Sequence, residues 1–146
     1  MIFKAKITDL EILLSYDKHI SKKELINLIN LERVYIINHN NTFAGWLRYN
    51  MFWDNTPFMN MLYILPEFQK KGLGKNLVEF WEKEMFNLYF DYVLTSTQSN
   101  ETAKYFYEKL GYTNIGGFNF KDDPYEIIYA KNIKNKGVCY EIPCCF

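Results

Sequence analysis

The sequence predicts a mixed α/β fold: one sheet with helices packed on it, in the order strand, helix, helix, three strands, helix, strand, helix, two strands. Three observations lead there. Short β-branched and aromatic runs recur between Ile2 and Ala130, and apolar stripes at helical spacing stand between them. No internal repeat and no Pro/Gly/Ser linker interrupts the 146 residues, which is one domain's worth of chain.

Each element has its own signal. Ile2 to Ile7 alternates weakly and reads as a first strand. Thr8 or Asp9 is placed to cap a helix running toward Tyr16. Ser21 with Glu24 three residues on is a capping-box pattern, and the helix it opens carries Leu25, Ile26, Leu28, Ile29 and Leu31. Val34 to Ile37 is a short strand closed by Asn38-His39-Asn40-Asn41, and Phe43 to Phe52 a longer one closed by Asp54-Asn55-Thr56-Pro57. Phe58 to Leu65 is apolar on both faces, the pattern of a central strand covered on both sides, and Pro66 ends it. Leu73, Leu77, Val78, Trp81, Met85 and Leu88 share one helical face. Asp91 to Thr97 is a strand, and Asn100 to Leu110 a helix with Asn100 as N-cap and Gly111 as its stop. Thr113 to Phe120 and Tyr125 to Ala130 close the sheet.

Composition narrows the function classes. The chain is 49% hydrophobic with 12 Phe, 12 Tyr and 3 Trp, so it can fill a core and is not the composition of a disordered segment. Lys plus Arg (17) equals Asp plus Glu (17), which argues against nucleic acid as a partner held by phosphate contacts. No apolar run approaches the ~20 residues of a membrane span, and lysines break the N-terminal segment, so neither membrane nor signal peptide is expected. Cys139, Cys144 and Cys145 all fall in the tail, an odd set that staples nothing in the body. A cytoplasmic protein is the expectation. The cysteine spacing lacks paired zinc-site geometry and only His19 and His39 stand elsewhere, so no metal is expected.

The most informative stretch is Gln69-Lys70-Lys71-Gly72-Leu73-Gly74-Lys75, between an apolar strand and an amphipathic helix. Glycines there allow a tight bend and close backbone approach, and a helix start attracts phosphate. A plain strand-to-helix loop with solvated lysines has the same letters. Two familiar phosphate loops fail: a dinucleotide fingerprint needs glycine where Leu77 stands, and a Walker loop needs glycine at Gln69 and Ser or Thr at Asn76.

The pattern that fits is Q/R-x-x-G-x-G/A, through Gln69, Gly72 and Gly74, after Leu62-Tyr63-Ile64-Leu65-Pro66. Downstream, N-x-x-A-x-x-x-Y-x-x-x-G-F/Y runs through Asn100, Ala103, Tyr107, Gly111 and Tyr112. Together these resemble the GNAT superfamily of N-acetyltransferases, and the element order through residue 133 is similar to that fold. The resemblance implies a central mixed, mostly antiparallel sheet flanked by helices over residues 1–133, followed by an extension, 134–146. It implies acetyl-CoA as co-substrate and an amine of a small molecule or peptide as acceptor. Its pyrophosphate would lie on backbone N–H groups of Gln69, Lys70, Lys71, Gly72, Leu73, Gly74 and Lys75. The pantetheine arm would run along the main chain of Leu62, Tyr63, Ile64 and Leu65, with the N–H near Ile64 facing the thioester carbonyl. Asn100 and Ala103 would touch that arm, and Tyr107 would be the general acid for the departing thiolate. An ordinary core position for Tyr107 and a capping role for Asn100 stay open beside this; Tyr105 is a weaker substitute on another face.

The proton acceptor has no assignment, because the central strand reads Met59-Asn60-Met61-Leu62 without an acid. Asp54, Asp17 and His19 are candidates near the acceptor, and a water-relayed base is an equal alternative. Tyr49, Phe52, Trp53 and Phe58 could wall an aromatic pocket, with Asp54 or Asp17 attracting a cation. Val138, Tyr140, Ile142 and Phe146 could dock on a second copy, which leaves a homodimer open. The rival to an enzyme is a module that binds acyl-CoA or a protein partner without turnover, and after it a regulator binding ATP or NAD.

Overall fold

The computed structural model describes residues 1–134. The predicted extension, with Cys139, Cys144, Cys145 and the apolar tail positions, lies outside the described residues. Seven strands form one sheet: β1 (Ile2–Lys4), β2 (Val34–His39), β3 (Thr42–Phe52), β4 (Thr56–Ile64), β5 (Tyr92–Gln98), β6 (Thr113–Phe118) and β7 (Glu126–Asn132). Four α-helices accompany them: α1 (Leu10–Tyr16), α2 (Lys22–Asn30), α3 (Leu73–Asn87) and α4 (Ala103–Lys109). The sheet order is β1-β2-β3-β4-β5-β7-β6. Every pairing is antiparallel except β4 with β5. The predicted class and element order are those observed.

Alternation along the strands sends side chains to two faces. Val34, Ile36 and Trp46 pack under α1 and α2 with Leu13, Leu25 and Leu28. Tyr35, Ile37, Leu47, Met59 and Val93 pack on the opposite face against Leu77, Val78, Trp81 and Met85 of α3, with Tyr107 of α4. Asn40 and Asn41 both take positive φ, and so do Trp53 and Asp54, which makes tight hairpin turns of the two connections flanking β3.

Several boundaries differ from the sequence expectation. β1 stops at Lys4, because the Lys6 N–H donates to the Asp9 carboxylate at 2.8 Å and starts a 3₁₀ turn over Ile7–Asp9. Asp9 therefore does not cap α1 through its side chain. Ser21 does cap α2, accepting from the Glu24 N–H at 3.2 Å. Asn100 is not the cap of α4: that helix begins at Ala103, and residues before it are held in a turn by Glu101 N–H to Gln98 O at 3.0 Å. β6 ends at Phe118, and β7 runs on to Asn132.

Burial of tyrosine hydroxyls has a consequence for stability. Burial pushes the Tyr107 phenol up to about 12, against an opposing effect of the neighbouring Thr95 side chain, and it pushes Tyr35 and Tyr112 up as well. A folded-state pKa above the unfolded value of ~10 gives stability that is complete below pH ~10 and is lost as pH rises through the folded values. We expect cooperative alkaline unfolding that starts above about pH 10, with tyrosinate absorbance rising as near-UV dichroism disappears. Titration of all 12 tyrosines with native dichroism intact would contradict it.

Candidate active site

The site begins where two strands part. β4 and β5 pair only at Phe58 with Leu94 and Met59 with Thr95. Just beyond, the register against β3 jumps from Tyr49–Met59 to Arg48–Met61, so Asn60 is an extra residue bulging from β4. A bulge bends its strand, and from Asn60 onward β4 diverges from β5. The covered central strand that the apolar run predicts is therefore open along its second half. Leu65 N–H donates to Ala44 O of β3, whereas Ile64 O accepts the Gln69 side-chain amide from the other side at 2.9 Å. By alternation, the polar main chain of Leu62 and Ile64 faces the gap, and that of Tyr63 faces Trp46 on β3. The Tyr63 ring lies 5.3 Å from the Trp46 ring, centroid to centroid. Of the four predicted arm-contacting residues, Leu62 and Ile64 present backbone groups to the cleft; Tyr63 pairs with β3, and the Leu65 N–H is taken by Ala44 O.

One end of the gap meets the glycine-rich turn. Lys70 and Gly72 have φ of 61° and 78°. The left-handed Gly72 is the N-cap of α3, which has neither a side-chain cap nor an acidic residue in its first turn. The N–H groups of Leu73, Gly74 and Lys75 are thus left for another acceptor, at the positive end of a 15-residue helix. A Cβ built on Gly74 would stand 3.6 Å from Phe106 and 3.7 Å from Ile64, ordinary contacts, so the protein's own packing does not demand glycine there. Lys70 and Lys71 are exposed, and Lys75 only approaches Glu79, at 3.9 Å.

The other end is a cleft of about 750 Å³ between Met59–Tyr63 and Thr95–Gln98, with Ala103 and Tyr107 of α4 beside it. Tyr107 is 7% exposed. Its ring meets Phe106 and Tyr112 edge-on at 5.2 and 5.6 Å. The Thr95 side chain lines the cleft beside it, and Thr95 Oγ1 donates to Met59 O at 3.0 Å. That pair is the last rung before the strands part, so the phenol sits at the apex of the split. Asn100 is exposed and does not line the cleft.

His19, Arg48 and Glu126 also line the cleft. Asp17 does not reach it as a free anion. The carboxylate is 2% exposed and accepts from Arg48 Nε at 2.7 Å, Trp46 Nε1 at 3.0 Å and the His19 N–H at 3.1 Å. Burial alone would raise its pKa; Arg48 and these N–H donors outweigh that and hold it below the usual carboxylate range. The predicted aromatic pocket also divides. Phe52 and Phe58 line a second cavity, Tyr49 is buried against Trp81, and Trp53 and Asp54 stand exposed at the turn.

Arg48, Thr95 and Glu126 are lining residues that the sequence reading missed. For Arg48 a signal existed: one of the chain's two arginines stands in the apolar run Gly45-Trp46-Leu47-Arg48-Tyr49, and a charge there needs a partner. Thr95 and Glu126 have no such mark.

The fold is that of a family of acyl-group transferases. Residues 7–112 match the model of the Acetyltransferase (GNAT) family, and the chain belongs to that family. Solved structures with the same fold include the PaiA N-acetyltransferase from Thermoplasma acidophilum in complex with coenzyme A: TM-score 0.73, 20% identity, covering 90% of this chain and 98% of that one. The ribosomal-protein-S18-alanine N-acetyltransferase from Escherichia coli aligns with TM-score 0.75 at 18% identity, over 96% of this chain and 99% of that one. An aminoglycoside 6′-N-acetyltransferase complexed with coenzyme A aligns with TM-score 0.77 at 18% identity, over 93% and 98%. No curated protein sequence matches the chain. Among the described residues no helix is long and apolar enough to cross a membrane.

Proposed function

We propose that the chain transfers the acetyl group of acetyl-CoA directly to a primary amine. The observation that carries this reading is the main-chain edge of Leu62 and Ile64, which has no strand beside it and leads from the open N-terminus of α3 to the Tyr107 hydroxyl. Backbone N–H groups of Leu73, Gly74 and Lys75 take the pyrophosphate. The pantetheine arm extends the sheet beside β4, as an added strand would. Because Ile64 lies at the pyrophosphate end, next to Gln69 and Gly74, the N–H of Leu62 is the better placed donor to the thioester carbonyl. This moves the donor one cleft-facing residue from the sequence expectation at Ile64.

In the reaction the amine nitrogen attacks the thioester carbon and forms the C–N bond. Negative charge grows on the carbonyl oxygen, where a preorganised N–H stabilises it. The C–S bond then breaks, the nitrogen gives up its proton to a base or a relaying water, and the thiolate accepts a hydrogen bond from Tyr107. Asn100, exposed and outside the cleft, is given no part. Acetyl-CoA at ~100 times its dissociation constant adds about 2.7 kcal/mol to native stability, a shift of several degrees. The expected result is such a shift with acetyl-CoA and CoA, none with ATP or NAD, and its loss in Gly74→Glu, which sets a carboxylate against the pyrophosphate. Equal shifts with ATP or NAD would overturn the proposal. CoA binding without thiol release on any amine would leave a binding module instead.

A further inference from the structure

A second cavity of about 550 Å³ adjoins the cleft, and Asn60, Ser96 and Glu126 line both. It is lined by strands and the β6–β7 connection alone, on the half of the sheet that α1 and α2 do not cover. Four phenylalanines line it: Phe52 and Phe58, 5.8 Å apart between ring centroids, and Phe118 and Phe120. The charged residues lining it are Asp123 and Glu126, both acidic, with no lysine, arginine or histidine among them. Lys121 Nζ sits 5.1 Å from the Phe120 ring centroid. The two acids that line the cleft differ. Glu101 accepts a hydrogen bond from Thr97 Oγ1 at 3.1 Å, whereas the half-buried Glu126 carboxylate has no hydrogen bond or ion pair among the described residues. A carboxylate taken partly out of water without a partner is a site for a cation.

The geometry points to the acceptor class: a primary amine with a single positive charge and an aromatic or aliphatic body. The body fills the cavity walled by Phe52, Phe58, Phe118 and Phe120, and the ammonium meets Glu126 where cavity and cleft join. A volume of this size suits one small ligand, and the second acid of the lining, Asp123, is exposed, so it offers a second ammonium only a water-screened charge. This rests on the acetyl-transfer reading, and names the substrate for it.

The test compares 2-phenylethylamine with spermidine in acetyl-CoA-dependent thiol release. The expected kcat/KM is at least about tenfold higher for phenylethylamine. Phe118 and Phe120 are both about half exposed, so the double variant Phe118→Ala, Phe120→Ala should keep the native melting temperature. It should raise the phenylethylamine KM about tenfold and leave spermidine unaffected. Glu126→Gln should raise the amine KM with the acetyl-CoA KM unchanged. A preference for spermidine, or equal effects of the double variant on both amines, overturns the inference. Thiol release from neither amine, with acetyl-CoA still shifting the melting temperature, overturns it while cofactor binding stands. Failure of acetyl-CoA to bind removes the acetyl-transfer reading and this inference with it.

Discussion

Replacing Tyr107 by phenylalanine lowers kcat about a hundredfold and leaves coenzyme A affinity unchanged. The ring is held by Phe106, Tyr112 and Tyr129, and phenylalanine keeps those contacts. Thr95 still donates to Met59 O, so the last rung between β4 and β5 survives. What is lost is one hydroxyl at the apex of the cleft. Its effect follows from its acidity. Burial pushes Tyr107 up to about 12, whereas an unperturbed thiol lies near ~8.5. Complete proton transfer from phenol to thiolate is therefore uphill, and the hydroxyl contributes by donating a hydrogen bond as charge grows on sulfur. The proton ends on sulfur by exchange with water. Because the phenol stays protonated up to about 12, a descending limb of the pH–rate profile centred below pH ~10 belongs to another group. The check is single-turnover rate against acetyl-CoA affinity for both proteins. Unchanged turnover would leave Tyr107 as core packing, and parallel loss of rate and affinity would make it a cofactor contact only.

The parts legible in sequence were those with a local cause. Ser21 with Glu24, the glycine-rich bend before α3 and the α3 stripe from Leu73 to Met85 are written in neighbouring residues, and each is found in place. What could not be read depends on partners distant in the chain. The apolar run Phe58 to Leu65 looks like a strand covered throughout, since an extra residue in β4 becomes a bulge only against the register of β3. Asp17 looks like a loop carboxylate free to meet an amine; Arg48, 31 residues on, takes it. Asn100 fits the letters of a cap, yet the turn closed by Gln98 and Glu101 delays the helix to Ala103. Tyr49, Phe52, Trp53 and Phe58 are close in sequence, but strand alternation and the turn send them to different surroundings. Glu126 carries no motif at all. Only the pairing of β7 with β5 and β6 brings it to the cleft.

The Asp17–Arg48 pair supplies the largest expected effect on stability. In Asp17→Ala the Arg48 guanidinium, 6% exposed, stays buried without its counter-charge, and Trp46 Nε1 loses its acceptor. Breaking a buried pair from one side costs roughly 3–5 kcal/mol, or on the order of 10 °C in melting temperature for a chain of this size. Arg48→Met on the same background should restore most of the loss, because an apolar side chain has no charge to compensate. A pH series separates ion pairing from simple packing. The folded-state pKa of Asp17 is held below its ordinary value of 3.8. Its contribution is therefore complete above the unfolded value and lost as pH falls through the lower, folded one. The stability gap between wild type and Asp17→Ala should be constant near neutrality and narrow below about pH 4. A gap of the same size at every pH would mean that Asp17 acts through shape and neutral hydrogen bonds. The variant also tests the acceptor side of the cleft. An unpaired cation at Arg48 repels an ammonium, so the amine KM should rise with the acetyl-CoA KM unchanged, and the Arg48→Met double variant should bring it back.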